Sequence, residues 1–484
     1  MSSNSLDQKV TDLLSDRVVL KPLTRWNEAY KEFPRYVMEY LCARYVDPDN
    51  PVSGQQRIDR ILSEHYVESG AKELIKSRIK EQVDRGYVLL GQLQVRLDAT
   101  RDHYWAEVPA LDDNFVRVSP RVLREHGDAL LSGGAWGTMT IEYDASYELK
   151  GRIYPFYIRE FQPFQITRLD LDDYIAKREL FDAEKWVALL MQSIGFNPEQ
   201  FDEREKMLML LRLVPFVEAN YNLIELGPRE TGKTYTYRNT SSKAFVISGG
   251  RATPATLFYN LATRKIGILG YKEVIFFDEI AHTQFTDPEA TISVLKDFMQ
   301  TGRFSRGPQE FSSQASIVLG GNIDTDIVRK APADHYRHLF ETLPEELQDT
   351  AFLDRLHAFL PGWELPKIRP ENYAQGYGFI TDYLAEIFGR FRRRNYQLHV
   401  TARVDFGGTT GRNQDAIKKT TAGLLKLIYP HRTVQTLTDD EFERCFELAV
   451  ECRRRVVDQL ATMQPSEFRH IEWAFERRPV PLEV

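Results

Sequence analysis

Apolar residues recur along this chain with three spacings, and each spacing predicts a different kind of element. In residues 1–85 they recur every three to four positions, which is the spacing of one face of an amphipathic helix. In residues 86–168 apolar and polar residues alternate in short runs, as at Leu93, Val95 and Leu97, which predicts half-buried strands. We therefore predict a helical domain over residues 1–85 and a β-rich domain over residues 86–168.

The third spacing is a short continuous apolar run, which predicts a strand buried on both faces of a parallel sheet. Such runs cover residues 222–226, 243–248, 274–277, 315–321 and 358–363. They predict an α/β core over residues 181–369, a parallel sheet with helices on both faces. Residues 370–484 return to helical spacing and are expected to form a helical lid and C-terminal helices. The charged residues 167–182 are predicted to be a linker.

The β-rich region is expected to form a small barrel of the oligonucleotide-binding type, with one helix inserted at residues 119–131. Its last predicted strand, residues 152–161, interleaves aromatic residues with Arg152 and Arg159. Such a pattern suits the stacking and steering of nucleic acid. Aromatic residues at these positions are more often barrel core, so both interpretations stay open.

Composition narrows the class of protein. The 484 residues are too many for one ordinary domain, and 42% hydrophobic and 27% charged residues are typical of a globular protein. Three cysteines without metal-ligand spacing indicate a reducing compartment. The sequence shows no run long enough to span a membrane and no signal peptide, so we expect a cytoplasmic protein without a membrane partner. The net charge of −7 does not indicate nucleic-acid binding, although a local basic channel would not change that sum much.

A phosphate-binding loop follows the run at residues 222–226. Its spacing, G-x-x-x-x-G-K-T, suits a triphosphate, because backbone N–H groups and a helix N-terminus converge on the phosphates. Lys233 supplies a positive charge and the Thr234 hydroxyl a ligand for Mg²⁺, so ATP and Mg²⁺ are the expected cofactors. A chance Gly-Lys-Thr turn is the alternative. The loop comprises Gly227, Pro228, Arg229, Glu230, Thr231, Gly232, Lys233 and Thr234.

The later runs end in the polar residues that ATP hydrolysis needs. Asp278 is predicted to hold Mg²⁺ and Glu279 to polarise the attacking water. Asn322 is predicted to lie between the γ-phosphate and that water. Arg355 is a candidate for an arginine that acts on the transferred phosphoryl group bound by a neighbouring subunit. An ordinary salt bridge is the alternative.

Together these parts resemble the AAA+ family of ATPases. More specifically, several segments resemble the BrxL family, the Lon-related AAA+ proteins of BREX anti-phage defence systems. The segments that carry this resemblance are residues 5–10, 225–229, 248–250, 257–260, 265–267, 356–366, 378–385 and 423–430.

The resemblance implies an ATPase that forms a homo-oligomeric ring, hexameric and either single or stacked as a double ring. It implies double-stranded DNA in a central channel, in an organisation like that of MCM helicases, and other phage-defence proteins as partners. The expected function is therefore an ATP-dependent motor or clamp on DNA. A protein unfoldase and a nucleotide-gated scaffold without substantial turnover are the alternatives.

Three features depart from the family pattern. About 55 residues follow Pro430, too few for the Lon-like protease domain of full-length members, so we expect a short form that is not a protease. Glu230 stands where the family usually has Gly, and its carboxylate would repel a triphosphate unless it points away. Lys418 stands near the place of an expected arginine sensor and is a candidate nucleotide contact.

Two predicted loops are candidates for facing a ring channel. One follows Gly250 and carries Arg251, and the other spans residues 302–307 and carries Arg303 and Arg306. An arginine-bearing surface turn is the alternative for both. The arginines at 390 and 392–394 are predicted to form a solvated or subunit-facing stripe.

Overall fold

The structure, a computed structural model, divides into two compact units. The larger unit comprises residues 1–22 and 168–484, and the smaller comprises residues 23–167. The described residues are 5–15, 17–25, 33–66, 71–82, 86–98, 102–132, 134–164, 169–306, 309–326 and 328–479.

The larger unit begins with helix α1 (Ser5–Leu14) and strand β1 (Val18–Leu20). β1 pairs antiparallel with strand Tyr377–Phe379, far along the chain. Beside it, the fully buried Lys21 ammonium donates a hydrogen bond of 2.6 Å to the carbonyl of Phe379. The first residues therefore fold with the C-terminal part of the chain and not with the other N-terminal helices.

The smaller unit is a closed five-stranded barrel with additional helices. Its strand order is β2-β3-β4-β8-β5, and β4 and β8 are parallel while the other neighbours are antiparallel. Helix α5 lies in sequence between β4 and β5, as predicted for residues 119–131. The helices are α2 (Arg35–Tyr45), α3 (Pro51–His65), α4 (Lys72–Glu81) and α5 (Pro120–Ser132). The strands are β2 (Tyr87–Asp98), β3 (His103–Val108), β4 (Asp113–Val118), β5 (Ala135–Tyr143), β6 (Glu148–Leu149), β7 (Arg152–Ile153) and β8 (Phe156–Pro163).

Apolar side chains that alternate along the strands fill the interior of the barrel. On β2, Leu89, Leu93 and Val95 are buried and join one apolar core with residues of the other strands. At Gly137 on β5 a side chain is impossible, because a Cβ there would lie 2.3 Å from the carbonyl oxygen of Gln162. This close approach brings β5 and β8 together.

The larger unit is built on a five-stranded parallel sheet of order β10-β13-β16-β9-β19. Its strands are β9 (Asn222–Gly227), β10 (Ala244–Ala252), β13 (Val274–Phe285), β16 (Ser316–Asn322) and β19 (Ala358–Pro361). The short strands outside it are β11 (Tyr259–Asn260), β12 (Lys265–Ile266), β14 (Arg303–Arg306), β15 (Gln309–Ser312), β17 (Thr325–Asp326), β18 (Ala331–Pro332), β20 (Tyr377–Phe379), β21 (Val404–Asp405) and β22 (Glu476–Arg477). The predicted parallel α/β core is thus confirmed.

Helices cover both faces of this sheet. Ile275 and Phe277 of β13 belong to a core that includes residues of helices α12 and α17. Phe276 points to the opposite face, where its ring stacks on Tyr237 of α10 with centroids 4.4 Å apart. The helices of the larger unit after α5 are α6 (Leu171–Glu179), α7 (Ala183–Ile194), α8 (Glu203–Leu211), α9 (Val214–Val217), α10 (Lys233–Asn239), α11 (Pro254–Leu257), α12 (Pro288–Thr301), α13 (Thr350–Leu353), α14 (Thr381–Phe391), α15 (Gln397–Thr401), α16 (Gly411–Ile428) and α17 (Asp439–Met463).

The predicted linker at residues 167–182 is wrong where the structure describes it, from residue 169 onward. Residues 171–179 form helix α6, because the Asp170 carboxylate caps it by accepting from the N–H groups of Asp172 and Asp173. Tyr174 is buried against Trp186 of the next helix, with ring centroids 5.3 Å apart. Most of the charged residues that indicated a linker are exposed or half-buried on this helix, while Arg178 is buried and donates to the carbonyls of Phe181 and Ile428.

The segment after Gly250 also differs from its prediction as a loop. Arg251 and Ala252 complete β10 and pair with Gln284 and Phe285 of β13. The Thr253 hydroxyl then caps the short helix α11.

Among the described residues, no helix combines the length and apolar character that crossing a bilayer requires.

Candidate nucleotide site

The phosphate loop leaves the end of β9, a strand that lies between β16 and β19 in the sheet. Gly232 has a φ of 79°, a left-handed conformation that glycine adopts without strain, and helix α10 begins at the next residue. The loop therefore opens into a helix N-terminus, whose N–H groups and positive dipole end favour an anion.

The Lys233 side chain is buried and folds back along the loop. Its ammonium donates to the carbonyl oxygen of Pro228 at 2.8 Å and to that of Gly227 at 3.4 Å. Burial lowers the pKa of this ammonium below its ordinary value, while the nearby Glu225 carboxylate acts in the opposite direction. A bound polyphosphate would favour the charged form further, since opposite charges stabilise each other.

Thr234 and Asp278 come together although 44 residues separate them. The Thr234 hydroxyl donates to a carboxylate oxygen of Asp278 at 2.7 Å. A hydroxyl and a carboxylate are hard oxygen ligands of the kind that Mg²⁺ uses beside a triphosphate. These two residues therefore fit the predicted metal ligands, and Mg²⁺ bound there would neutralise phosphate charge.

Glu279 and Asn322 lie at the same edge of the sheet. Asn322 ends β16 and is in register with Gly227 at the start of the phosphate loop. Glu279 is exposed and has a φ of 52°. The pairing of β10 with β13 is interrupted there, because the ladder passes from Ser248–Asp278 to Gly250–Thr283 and leaves extra residues on β13.

These residues line one cavity of about 440 Å³. Gly227 and Pro228 do not line it, and their carbonyls serve to hold Lys233. Phe196, Ile368 and Tyr373, which the sequence analysis did not predict, give the cavity an apolar wall. The lining residues are Phe196, Arg229, Glu230, Thr231, Gly232, Lys233, Thr234, Tyr235, Asp278, Glu279, Asn322, Ile368 and Tyr373.

Glu230 lines the nucleotide cavity and is paired with a cation. Its φ of 69° is one that glycine adopts easily, which explains why glycine suits this position. Its side chain is 72% exposed and its carboxylate lies 3.6 Å from the ammonium of Lys367. The Lys367 ammonium offsets the charge of this carboxylate, which reduces its repulsion of a triphosphate.

A buried ion pair that was not predicted from the sequence contacts the phosphate loop. Arg212, just after α8, and Glu225 of β9 are both fully buried and form two hydrogen bonds of 2.5 and 2.9 Å. A third guanidinium hydrogen bond of 2.9 Å goes to the carbonyl of Thr231. The signal was a charged residue inside the apolar run at residues 222–226, since a buried carboxylate requires a partner.

Arg355 lies outside the nucleotide cavity of its own chain. It lines a separate cavity of about 270 Å³, together with Arg412 and Lys419. Burial lowers the pKa of the Arg355 guanidinium and the neighbouring charge of Arg412 lowers it further. Arg412 was not predicted from the sequence, and its guanidinium lies 2.6 Å from the carboxylate of Asp354.

Lys418 also lies outside the residues that line the nucleotide cavity. Its ammonium is 5.0 Å from the ring centroid of Phe406 and donates to Gln414 one turn earlier in α16. In this chain its position therefore does not support a role as a nucleotide contact.

The arginines considered for DNA binding differ in how they are held. Arg303 is exposed, and its nearest carboxylate, that of Glu310, is 3.8 Å away. Arg306 donates at 2.8 Å to the carbonyl of Tyr259, so it also has a structural role. The segment's last residue, Gly307, lies outside the described residues.

The other three candidates lie on separate strands. Arg251 is exposed on β10. In the barrel unit, Arg152 lies over the rings of Phe115 and Tyr154, and Arg159 lies 2.5 Å from the carboxylate of Glu142. Arg159 is therefore neutralised by an acid, whereas Arg152 contacts aromatic rings.

Two models of known protein families match this chain, and together they cover most of both units. Residues 156–474 match the family model described as "Lon-like protease BrxL-like, ATPase domain". Residues 12–143 match the model described as "BREX system Lon protease-like protein BrxL N-terminal". The chain belongs to the BrxL family. The resemblance identified in the sequence is thereby confirmed.

Two relatives carry the name "Lon-like protease BrxL". The protein of Bacillus cereus (strain H3081.97) is 38% identical over 477 residues, which are 97% of this chain and 69% of the relative. The protein of Escherichia coli O9:H4 (strain HS) is 35% identical over 474 residues, which are 97% of this chain and 67% of the relative. The match to the BrxL ATPase domain includes every residue that lines the nucleotide cavity.

Proposed function

We propose that this BrxL-family chain is a Mg²⁺-dependent ATP hydrolase that forms a ring around double-stranded DNA and acts as a motor or clamp in phage defence. The observation that carries the proposal is the convergence of Lys233, Thr234, Asp278, Glu279 and Asn322 on one cavity. These are the groups that phosphoryl transfer to water needs, since its catalysis depends on positioning and on charge stabilisation.

Each group has a role in this proposal. The loop N–H groups and Lys233 bind the β- and γ-phosphates, and Thr234 and Asp278 hold Mg²⁺. Glu279 accepts a proton from the attacking water, and Asn322 orients that water toward the γ-phosphorus. The apolar wall of Phe196, Ile368 and Tyr373 suits the adenine base, because a purine ring buries apolar surface there.

The position of Arg355 supports a ring. A guanidinium outside the cavity of its own chain can complete the cavity of a neighbour, where it neutralises charge on the transferred phosphoryl group. Arg412 lines the same cavity as Arg355 and is a second cation for this role. A head-to-tail contact that repeats around an axis gives a closed ring, and a hexamer is our proposal.

The barrel and the exposed arginines support DNA as the substrate. The strand order β2-β3-β4-β8-β5, with a helix between β4 and β5, supports a barrel of the oligonucleotide-binding type. Arg303, Arg251 and Arg152 are exposed cations that a ring would repeat once per subunit. Repetition produces a positive collar inside a protein of net charge −7.

The test is ATP hydrolysis by the purified chain, alone, with double-stranded DNA and with an unfolded protein. Stimulation by DNA is the expected result, with the Lys233→Ala variant as the inactive control. Stimulation by unfolded protein and not by DNA would replace the DNA motor with a protein unfoldase. Binding of ATP without measurable turnover under any condition would favour a nucleotide-gated scaffold.

A further inference from the structure

One part of the ATPase unit is free of acidic residues. Residues 248–272 contain four cations and neither Asp nor Glu, in a chain whose acids outnumber its Lys and Arg by seven. The cations are Arg251, Arg264, Lys265 and Lys272. A run of this kind in a net-acidic protein marks a local positive surface.

The segment folds into a short hairpin, which we call the basic hairpin and define as residues 259–266. Strands β11 and β12 pair through Tyr259–Ile266 and Asn260–Lys265. The side-chain oxygen of Asn260 accepts from the N–H groups of residues 262 and 263 at 3.0 and 3.1 Å, which fixes the turn. All residues from 261 to 266 are exposed.

The base of the basic hairpin is held tightly. The N–H of Gly267 donates to the carbonyl of Phe258 at 2.6 Å, and a Cβ at Gly267 would lie 2.4 Å from the backbone of Leu257. Arg306 of the neighbouring β14–β15 hairpin donates at 2.8 Å to the carbonyl of Tyr259. The ring of Tyr259 packs on Phe311 of that second hairpin at 5.2 Å. An ordered base with an exposed tip suits a binding element, because little additional ordering is needed on binding.

The two cations of the basic hairpin lack an ion-pair partner within 4 Å among the described residues. Neither Arg264 nor Lys265 forms an ion pair with a described residue, and both are exposed. Arg303 on the adjoining hairpin adds a third exposed cation. Arg303 has the carboxylate of Glu310 at 3.8 Å, whereas Arg264 and Lys265 have no ion-pair partner among the described residues. Two such cations side by side suit a ligand with regularly repeated negative charges, which is the phosphate backbone of a nucleic acid.

We propose that the basic hairpin binds the phosphate backbone of DNA through Arg264 and Lys265. This inference rests on the proposed function and deepens it by naming a contact that was absent from the arginines considered from the sequence. Contacts to phosphates carry no sequence information, so binding is expected to be independent of base sequence.

The experiment compares the full-length chain with its Arg264→Ala/Lys265→Ala variant. Affinity for two double-stranded DNA fragments of unrelated sequence is measured by fluorescence anisotropy at several salt concentrations. The variant is expected to bind both fragments more weakly by a similar factor, with the slope of log affinity against log salt reduced by about 0.9 for each phosphate contact that the assembled ring loses. Its ATP hydrolysis without DNA should be unchanged.

Two matched variants separate charge from structure. Arg454→Ala/Arg469→Ala removes the same charge from exposed positions elsewhere and should leave DNA affinity unchanged. Arg264→Lys/Lys265→Arg keeps the charge and should retain binding. Loss of binding in this charge-keeping variant would overturn the proposal, since phosphate contacts tolerate either cation.

The outcomes distinguish this inference from the proposed function. If the unaltered chain binds no DNA, the proposed function fails and the inference fails with it. If the unaltered chain binds DNA and the double-alanine variant has the same affinity and salt slope, the inference alone is overturned. If the variant instead loses only stimulation by an unfolded protein, the basic hairpin binds protein and the inference is overturned.

Discussion

Glu279 combines an exposed carboxylate with a left-handed backbone conformation, φ 52°, at an interrupted sheet ladder. Such a conformation costs of order 1 kcal/mol or more for a residue other than glycine, and it persists where the surrounding structure imposes it. The preceding residue, Asp278, is buried and bonded to Thr234. The sharp change of direction therefore separates two adjacent acids into a metal ligand and a group that faces water.

We expect Glu279→Gln to bind ATP normally and to hydrolyse it at least about 100-fold more slowly, because the amide cannot accept the proton from water. Lys233→Ala should weaken ATP binding about 10- to 100-fold, since a charge-assisted contact is lost. Binding is measured with a fluorescent nucleotide and turnover by phosphate release. Glu447→Gln, an exposed carboxylate on α17, is the control and should behave like the unaltered chain. Unchanged turnover in the Glu279 variant would remove its assignment as the base.

The pair of Arg212 and Glu225 allows stability to be separated from nucleotide binding. Removing one partner, as in Glu225→Leu, leaves a buried charge and should destabilise the fold by about 3–5 kcal/mol. The double variant Arg212→Met/Glu225→Leu should recover most of that stability. It should still bind ATP more weakly, because the Thr231 carbonyl has lost its guanidinium donor.

Urea denaturation and nucleotide titration on the same samples test this prediction. A double variant with full ATP affinity would show that the pair stabilises the fold without positioning the loop.

The phosphate loop and the Asp-Glu pair were predictable because each is contiguous in the sequence. Arg212 was not, since no local rule links it to Glu225 or to the Thr231 carbonyl.

At the scale of elements, His357 joins two strands and a helix. It directly precedes β19, and its Nδ1 accepts from the N–H of Asn222 at the start of β9 at 2.9 Å. Its Nε2 therefore carries the proton and lies 3.3 Å from the carboxylate of Asp415 on α16. Burial lowers the pKa of His357 from its ordinary 6.5 to about 4, so the neutral ring is the folded form.

This pKa gives stability a defined pH dependence. Between pH 6.5 and 4 the unfolded chain binds a proton at His357 that the folded chain does not, so stability falls as pH falls, by up to about 1.4 kcal/mol per pH unit. Below pH 4 both states are protonated and this contribution to the slope ends. His357→Asn keeps an acceptor for the Asn222 N–H and should remove this share of the slope.

His357→Phe is the contrasting variant. It leaves the buried N–H of Asn222 without an acceptor and should lower stability at every pH by about 1–3 kcal/mol. Thermal unfolding of both variants from pH 4 to 8 is the measurement. An unaltered slope in the Asn variant would assign the acid sensitivity to other groups, such as His431, whose pKa burial also lowers to about 4.

The elements that were predictable are those with a long or strongly apolar pattern. The five sheet strands were found because continuous apolar runs are unambiguous within an α/β alternation. β3 and β4 were missed, since Trp105 lies on the outer side of the barrel yet is fully buried, which breaks the alternation. Helix α6 was missed because its charged residues concealed the buried Tyr174.

At the scale of the whole molecule, the residues that line the nucleotide cavity of one chain do not include Arg355, the arginine predicted to act in the transition state. Lys233 is its one lining lysine, and Arg229 is the one arginine among the described lining residues. Arg355 and Arg412 lie instead in a second cavity of the same unit. In the proposed ring, a second copy of the chain would bring Arg355 and Arg412 to this nucleotide cavity.

Arg355→Ala is therefore expected to bind ATP and to lose most hydrolysis, and a mixture with Lys233→Ala should regain activity although each variant alone is inactive. In a randomly mixed ring about one quarter of the interfaces join an intact Lys233 to an intact Arg355, so the recovered rate should approach about a quarter of the unaltered rate. The rate is measured across mixing ratios, with co-assembly established by co-purification of differently tagged subunits. An Arg454→Ala chain mixed with Lys233→Ala controls for simple dilution. Co-assembled rings that stay inactive at every ratio would show that Arg355 acts within its own chain, where the carbonyl of Ala351 is its partner.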